Sequence, residues 1–358
     1  MFHLILTGLL MVWSPLIWGG EITYGAEFEF TSDWMHETAG RRGSLRGNEG
    51  VAAARLAGEV MAKCLRLGCK VTPHHGKWTN EDRKATPEYL VRFREGFWMN
   101  ISYDPLCVEI QSKPMTQDEW RKFAPLIQET IFNSAKNLGY EPLESRAGHF
   151  NIGALSAFGS NSNVKDFLRF FVDYANHAEL ASGVLRKNWS TAVPLILQSE
   201  VGIEALKVLI EWVERGRITT IDQAANFIQA KVYVTHPQPE RYSVTHNQAL
   251  NVTKLLDLSK EDAPMEIRAI RAQKTVYEFI QLIEIFEGRI EFLKNQKGPI
   301  VLDLPTQDRL GQKEALSRFE RYLGESGLKS QDYSNLLPTQ WPSLNTSSSA
   351  VIQCRQIF

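Results

Sequence analysis

The chain has 358 residues, 43% of them hydrophobic, enough for a sizeable core in one large domain or a domain with an appendage. The formal net charge is -1 and the sequence pI is near 6.7, so no global field favours nucleic acid or an anionic membrane as partner. Four cysteines without a CxxC spacing indicate neither a zinc site nor a disulfide framework. Cys64 and Cys69 are near enough in sequence to face each other, but two small core residues are the expected reading.

The first twenty residues, "MFHLILTGLLMVWSPLIWGG", carry no charged side chain. The apolar run is too short, and too broken by Pro15, for a transmembrane helix. It resembles a secretory signal ending at Gly19 and Gly20, although no Lys or Arg precedes it and Ile17-Trp18 does not make an A-x-A cleavage site. The other reading is an apolar segment docked on the domain. Residues 1–20 are therefore set apart as a candidate signal peptide. If they are one, the mature protein is exported, periplasmic or secreted, with no stable membrane span; otherwise it is cytoplasmic.

Residues 21–30, "EITYGAEFEF", alternate as a strand does. Ile22, Tyr24, Ala26, Phe28 and Phe30 fall on one face, and Thr23, Gly25, Glu27 and Glu29 on the other. The polar, Gly- and Arg-rich residues 31–50 read as a long loop. A helix is expected over 49–67, with Val51, Leu56, Val60, Met61, Cys64 and Leu65 as its buried side and Gly68 as its stop. "CKVTPH", "EYLVRF", "FWMNISY" and "LCVEIQS" read as short strands. The clearest helix is 117–138, opened by a Thr116/Glu119 capping box and closed by Gly139. "GHFNIGAL" reads as a strand, and 163–215 as mostly helical around the basic interruption "RKNWST". "KVYVTH", "SVTHNQALNV" and "MEIRAIRA" are strand-like. Helices are expected near 274–295 and 307–324, and the Ser-rich end reads as a loose tail. The resulting division is a domain over 21–327 and a tail over 328–358. Strands and helices do not alternate as βαβ units, which predicts an α+β fold with an antiparallel sheet.

Four strand-like segments share one pattern. Glu27 and Glu29 lie on one face of the first. Glu109 is flanked by Val108 and Ile110, which point away from it. His149 and Asn151 oppose Phe150 and Ile152, and Glu266 and Arg268 oppose Ile267 and Ala269. In one sheet, these strands would gather four carboxylates, an imidazole and a guanidinium. Carboxylates so gathered raise each other's pKa unless a cation neutralises them. Oxygen donors with one imidazole suit magnesium or manganese better than zinc. An exposed face bearing ordinary charged residues is the alternative for any one pair taken alone.

"GAEFEF", "VEIQSKP", "GHFNIG" and "MEIRAIRA", in this order, resemble the glutamine synthetase-like carboxylate–amine ligases, nearest to their amidoligase branch and related to glutamate–cysteine ligases. The resemblance spans roughly residues 22–275. It implies a curved antiparallel β-sheet with a polar concave face, backed by helices, that holds ATP and substrate. It also implies metal ligands at Glu27, Glu29, Glu109, His149 and Glu266, a phosphate contact at Arg268 with Asn151 beside the nucleotide, and substrate contacts at Arg241, Tyr242, Asn247 and Arg186. The commoner second histidine of the family's H-x-H is Asn151 here. The implied reaction is ATP- and magnesium- (or manganese-) dependent amide formation through an acyl phosphate. Its partners would be a small-molecule or peptide carboxylate, such as a glutamate-like acid, and an amine. No P-loop motif is present. Arg41, Arg42 and Arg46 lie in a glycine-containing loop that would close over phosphates or simply be solvated. A metal-dependent hydrolase using the same carboxylates, and an exported non-catalytic binding protein on the same scaffold, are the alternatives. An exported ligase would need ATP from elsewhere.

Overall fold

The structure is a computed structural model, and it describes residues 21–36, 49–74, 88–104, 107–142, 147–177, 180, 200–233, 248–258, 263–304 and 312–337. Its strands are β1 (Thr23–Thr31), β2 (Cys69–His74), β3 (Glu88–Phe93), β4 (Trp98–Asp104), β5 (Cys107–Ser112), β6 (Met115–Thr116), β7 (Glu141–Pro142), β8 (Ala147–Gly153), β9 (Leu250–Asn251) and β10 (Pro264–Arg271). They form one ten-stranded sheet in the order β2-β3-β4-β5-β1-β8-β10-β9, with β6 and β7 pairing the two ends of β1. The pairings are antiparallel, as the element order predicts.

The helices are α1 (Asp33–His36), α2 (Glu49–Leu67), α3 (Gln117–Ile127), α4 (Asn133–Asn137), α5 (Ala154–Phe158), α6 (Val164–Asn176), α7 (Glu200–Glu214), α8 (Ile221–Phe227), α9 (Val276–Lys294) and α10 (Gln312–Glu325). The alternation in β1 decides which face of the sheet they cover. Tyr24, Phe28 and Phe30 are buried with Val108, Ile110, Phe150, Ile152, Met265 and Ile267. The Phe28 ring meets Trp120 of α3 at 6.3 Å and Phe279 of α9 at 5.4 Å, centroid to centroid. Trp120 donates its indole N–H to the Tyr24 carbonyl at 3.0 Å, which ties α3 to β1. Each such side chain contributes about 2 kcal/mol through burial, and the pinned apolar face leaves the other face of β1 to its glutamates.

The capping box is formed. The Thr116 hydroxyl accepts from the Glu119 N–H at 3.3 Å, and the Glu119 carboxylate accepts from the Thr116 N–H at 3.0 Å. Helical backbone runs on to Asn137, as expected, but through a wider π turn at residues 128–132 that follows Pro125. Gly139, at φ +70°, ends it.

Several expectations need correction. On α2 the buried stripe is Ala52, Ala53, Leu56, Ala57, Val60 and Cys64, while Val51, Met61 and Leu65 are exposed. The alanines let the helix lie close to the sheet beside Leu56 and Val60, and Val51, Met61 and Leu65 fall on the outer face. Cys64 and Cys69 form a disulfide, because Gly68 at φ +75° turns the chain back and leaves their Cα atoms 4.5 Å apart. Of "KVYVTH", residues 231–233 are not strand, and 234–236 lie outside the described residues. Ile228 and Val232 carry the buried stripe of α8 through a π turn at Ile228–Val232. Of "SVTHNQALNV", residues 243–247 lie outside the described residues, and among 248–252 the extended parts are the two-residue β9 and a bridge at Gln248. The 3₁₀ turn Ser330–Leu336 buries Tyr333 and Leu336, so packed chain continues past 327. The rest of the expected tail, 338–358, lies outside the described residues, as do 1–20 and the arginine-bearing loop through residue 48. Among the described residues, no helix is long and apolar enough to cross a membrane.

Candidate metal centre

β8 lies between β1 and β10 and pairs with both, and residues opposite each other in an antiparallel pair share a face. Glu27 stands opposite His149, and Glu266 opposite Asn151, so the period-2 faces read from the sequence become one face of one sheet. Glu27, His149 and Glu266 are all buried there. They present one ligand atom each, all within 4.8 Å of one another.

His149 Nδ1 is hydrogen-bonded to Glu27 Oε2 and stands 3.1 Å from Glu266 Oε1. Burial pulls the imidazole pKa down. The charge of Glu27 and the hydrogen bonds to both carboxylates push it up and prevail, so His149 holds its proton well above the usual range. Burial likewise raises the two carboxylates, but His149 outweighs it and both end below their ordinary values. Without a metal, the imidazolium is thus the cation that lets two buried carboxylates coexist. Arg268 adds to this by donating Nη1 to Glu266 Oε1 at 3.0 Å. An irregularity in the β8–β10 register between Ile267 and Ile270 falls beside Arg268, a common device for re-aiming a side chain.

Glu29 and Glu109 stand opposite each other on β1 and β5, on the same face but outside the three-residue group. Like charges directly opposite are unfavourable. Gln111 answers part of this by donating Nε2 to Glu109 Oε1 at 2.6 Å. Asn151 donates to Glu27 Oε1 at 3.4 Å, and its own buried Oδ1 has no hydrogen-bond partner among the described residues. A Cβ added at Gly25 would stand 3.4 Å from Asn151 Cβ, so the glycine leaves room beside that amide.

Three contributors escape the sequence reading. Gln111 shares the Glu109 face by simple alternation and was legible as such. Asn251 donates Nδ2 to Glu266 Oε2 at 2.5 Å, but its strand has only two residues, too few for a periodic signal. Lys254, in the turn after β9, lowers the pKa of both Glu27 and Glu266 through its charge. The lysine sits in the 3₁₀ turn Thr253–Leu256, where no strand alternation assigns it to a face. The expected substrate contacts Arg186, Arg241, Tyr242 and Asn247 lie outside the described residues.

The pairing break after β5 has a local cause. β5 leaves β1 at Gln111, and the Ser112 hydroxyl accepts the Ala26 N–H at 2.8 Å in place of a strand carbonyl. Lys113 and Pro114 then lead into β6, which resumes pairing at Tyr24. The "QSKP" stretch thereby bends the chain without leaving a β1 donor unsatisfied.

No protein-family model matches the chain, and no curated protein matches it.

Proposed function

We propose that Glu27, His149 and Glu266 hold a divalent cation, magnesium or manganese, and that the chain is an ATP-dependent carboxylate–amine ligase on a glutamine synthetase-like fold. The observation that carries this reading is the convergence of two carboxylates and an imidazole from three adjacent strands onto one buried spot. The donors fit such an ion in kind: mostly oxygen, one nitrogen and no thiolate. The Oδ1 of Asn151, without a hydrogen-bond partner among the described residues, supplies a further buried oxygen beside them.

A cation held there would offset phosphate charge and orient phosphate oxygens. Arg268, on the same face, would meet charge developing on the transferred phosphoryl group. Burial of the cluster restricts water, which would otherwise compete with the amine for an activated acyl group. The reaction moves the γ-phosphoryl group of ATP to a substrate carboxylate oxygen and releases ADP. The amine nitrogen then attacks the carbonyl carbon, loses a proton and displaces phosphate. The substrate class is a small-molecule or peptide acid with an amine.

A second reading, an exported binding protein on the same scaffold, is favoured by the Cys64–Cys69 disulfide, because such bonds persist mainly in oxidising compartments. One experiment separates the two. Thermal melts with manganese and a non-hydrolysable ATP analogue are combined with an assay of ADP release in the presence of carboxylate and amine panels. The ligase reading expects a raised melting temperature with both ligands and ADP release that requires the amine. Stabilisation by the metal without nucleotide binding or turnover favours the binding protein. Turnover of amides or phosphoesters without nucleotide would instead mark a metal-dependent hydrolase. Stabilisation by neither ligand overturns the metal site.

A further inference from the structure

We propose that Asn251 is a positioning residue for Glu266, and that Thr253 aims it. The inference rests on the metal-site reading above and names what holds that site in shape. Asn251 is buried and sits opposite Glu266 across the β9–β10 pair. Its Nδ2 donates to Glu266 Oε2 at 2.5 Å. Its Oδ1 accepts from the Thr253 backbone N–H at 2.9 Å and lies 2.6 Å from the Thr253 hydroxyl.

The orientation of this amide follows from chemistry. A backbone N–H can only donate, so the amide atom facing Thr253 must be the oxygen. The nitrogen is then left facing a carboxylate, which can only accept while ionised. Both ends agree on one orientation, and the Thr253 hydroxyl reinforces it. The local geometry is an Asx-type turn, in which the side chain bonds to the backbone two residues on.

The consequence falls on Glu266. Its Oε2 is taken by Asn251, which leaves Oε1 directed at His149, 3.1 Å away, and at Arg268, 3.0 Å away. The carboxylate is held at both oxygens and has little freedom to rotate. Such outer contacts orient a ligand before an ion arrives, and their loss weakens metal affinity by about 10–100-fold. β9 also buries Leu250 in the core, where its carbonyl accepts from the Tyr233 hydroxyl, and in the site it delivers this one amide.

The test is manganese titration of the full chain by calorimetry, with wild type, Asn251→Ala, Thr253→Val and Thr253→Ser. Circular dichroism and thermal melts establish that each variant is folded. The expected result is a loss of manganese affinity of about 10–100-fold in Asn251→Ala. Thr253→Val should show a smaller loss, and Thr253→Ser, which keeps the hydroxyl, should bind as wild type does. Should Asn251→Ala prove unfolded, the contrast between Val and Ser at position 253 decides alone. Equal affinity in wild type and the folded variants overturns the positioning role while leaving the metal site standing. Absence of manganese binding in wild type overturns the metal reading itself, and this proposal with it.

Discussion

Glu27 and Glu266 reach the same imidazole from strands that are not neighbours: β1 and β10 flank β8, and His149 joins them across it. Burial raises both carboxylates and Glu266 raises Glu27 further, yet both are held below their ordinary values, chiefly by the shared histidine. Repulsion between the carboxylates is relieved within the ion-free protein before any metal is considered.

This bears on Glu27→Gln. From the sequence alone, removing one of two like charges is expected to leave the fold intact or more stable. The structure reverses the sign, because the substitution also takes a partner from a buried imidazolium. Breaking a buried pair in this way costs about 3 kcal/mol. Chemical denaturation with chelator present should show a lower midpoint in Glu27→Gln, and manganese binding should be lost. A variant more stable than wild type would mean that His149 is not charged in the fold.

The same ion cluster gives a pH dependence with a definite sign. The His149 value is raised in the folded state, so its contribution is complete below the ordinary value of 6.5 and fades as pH rises toward the folded value. Glu27 and Glu266 are lowered, so theirs is complete above 4.5 and fades as pH falls. For the metal-free protein these groups favour a stability maximum between about 4.5 and 6.5. Melting temperatures recorded from pH 4 to 9 with chelator should decline on the alkaline side, and His149→Gln should flatten that limb. A metal ligand must be the neutral imidazole, so manganese affinity should rise with pH over the same range, with release of a proton.

Reduction of Cys64–Cys69 should destabilise the fold without touching the site. The cross-link spans a sequence separation of 5, which by loop-closure entropy is worth about 2 kcal/mol. β2 lies four strands from β1 in the sheet, so manganese affinity should be unchanged. Non-reducing peptide mapping should recover the two cysteines as one linked pair, and a melt with and without reductant gives the stability difference.

A second buried ion cluster separates stability from function. Arg289 of α9 donates to Asp173 of α6 through Nε at 2.8 Å and Nη2 at 2.5 Å, and to Glu325 of α10 through Nη1 at 2.7 Å. Its guanidinium also stands 4.3 Å from the centroid of the Tyr322 ring. Arg289→Met would leave Asp173 buried without this partner, at a cost of about 3–5 kcal/mol. Arg289→Lys should restore little, since an ammonium cannot make the fork. Denaturant midpoints should fall in both variants, while manganese affinity of the folded fraction stays as in wild type.

Legibility in the sequence followed the length of the periodic signal. Nine residues of alternation in β1 revealed its two faces, and the capping box at Thr116 marked the start of α3. The places of Glu27, His149 and Glu266 on the polar faces of alternating strands were open to period-2 reading for the same reason. Where the signal was short it failed: Asn251 sits on a two-residue strand, and residues 231–232 imitate a strand while continuing a helical stripe. On α2, apolar character alone misassigned Val51, Met61 and Leu65, because alanines made the close contact with the sheet.

The sequence by itself determined the alternation of β1, β5, β8 and β10, and with it which side chains leave the core. Alternation is a property of the extended backbone, so it needs no partner strand. Only the tertiary structure decided that β8 lies between β1 and β10, in a register that brings Glu27 and Glu266 to one histidine while Glu29 and Glu109 face each other apart from it. Strand order and register depend on contacts between residues far apart in the chain, such as Glu27 with His149 and Asn151 with Glu266, and on helices that cover one face and leave the other to the charges. The sign of the Glu27→Gln effect rests on that arrangement, because the repulsion belongs to the residues and its relief belongs to the fold.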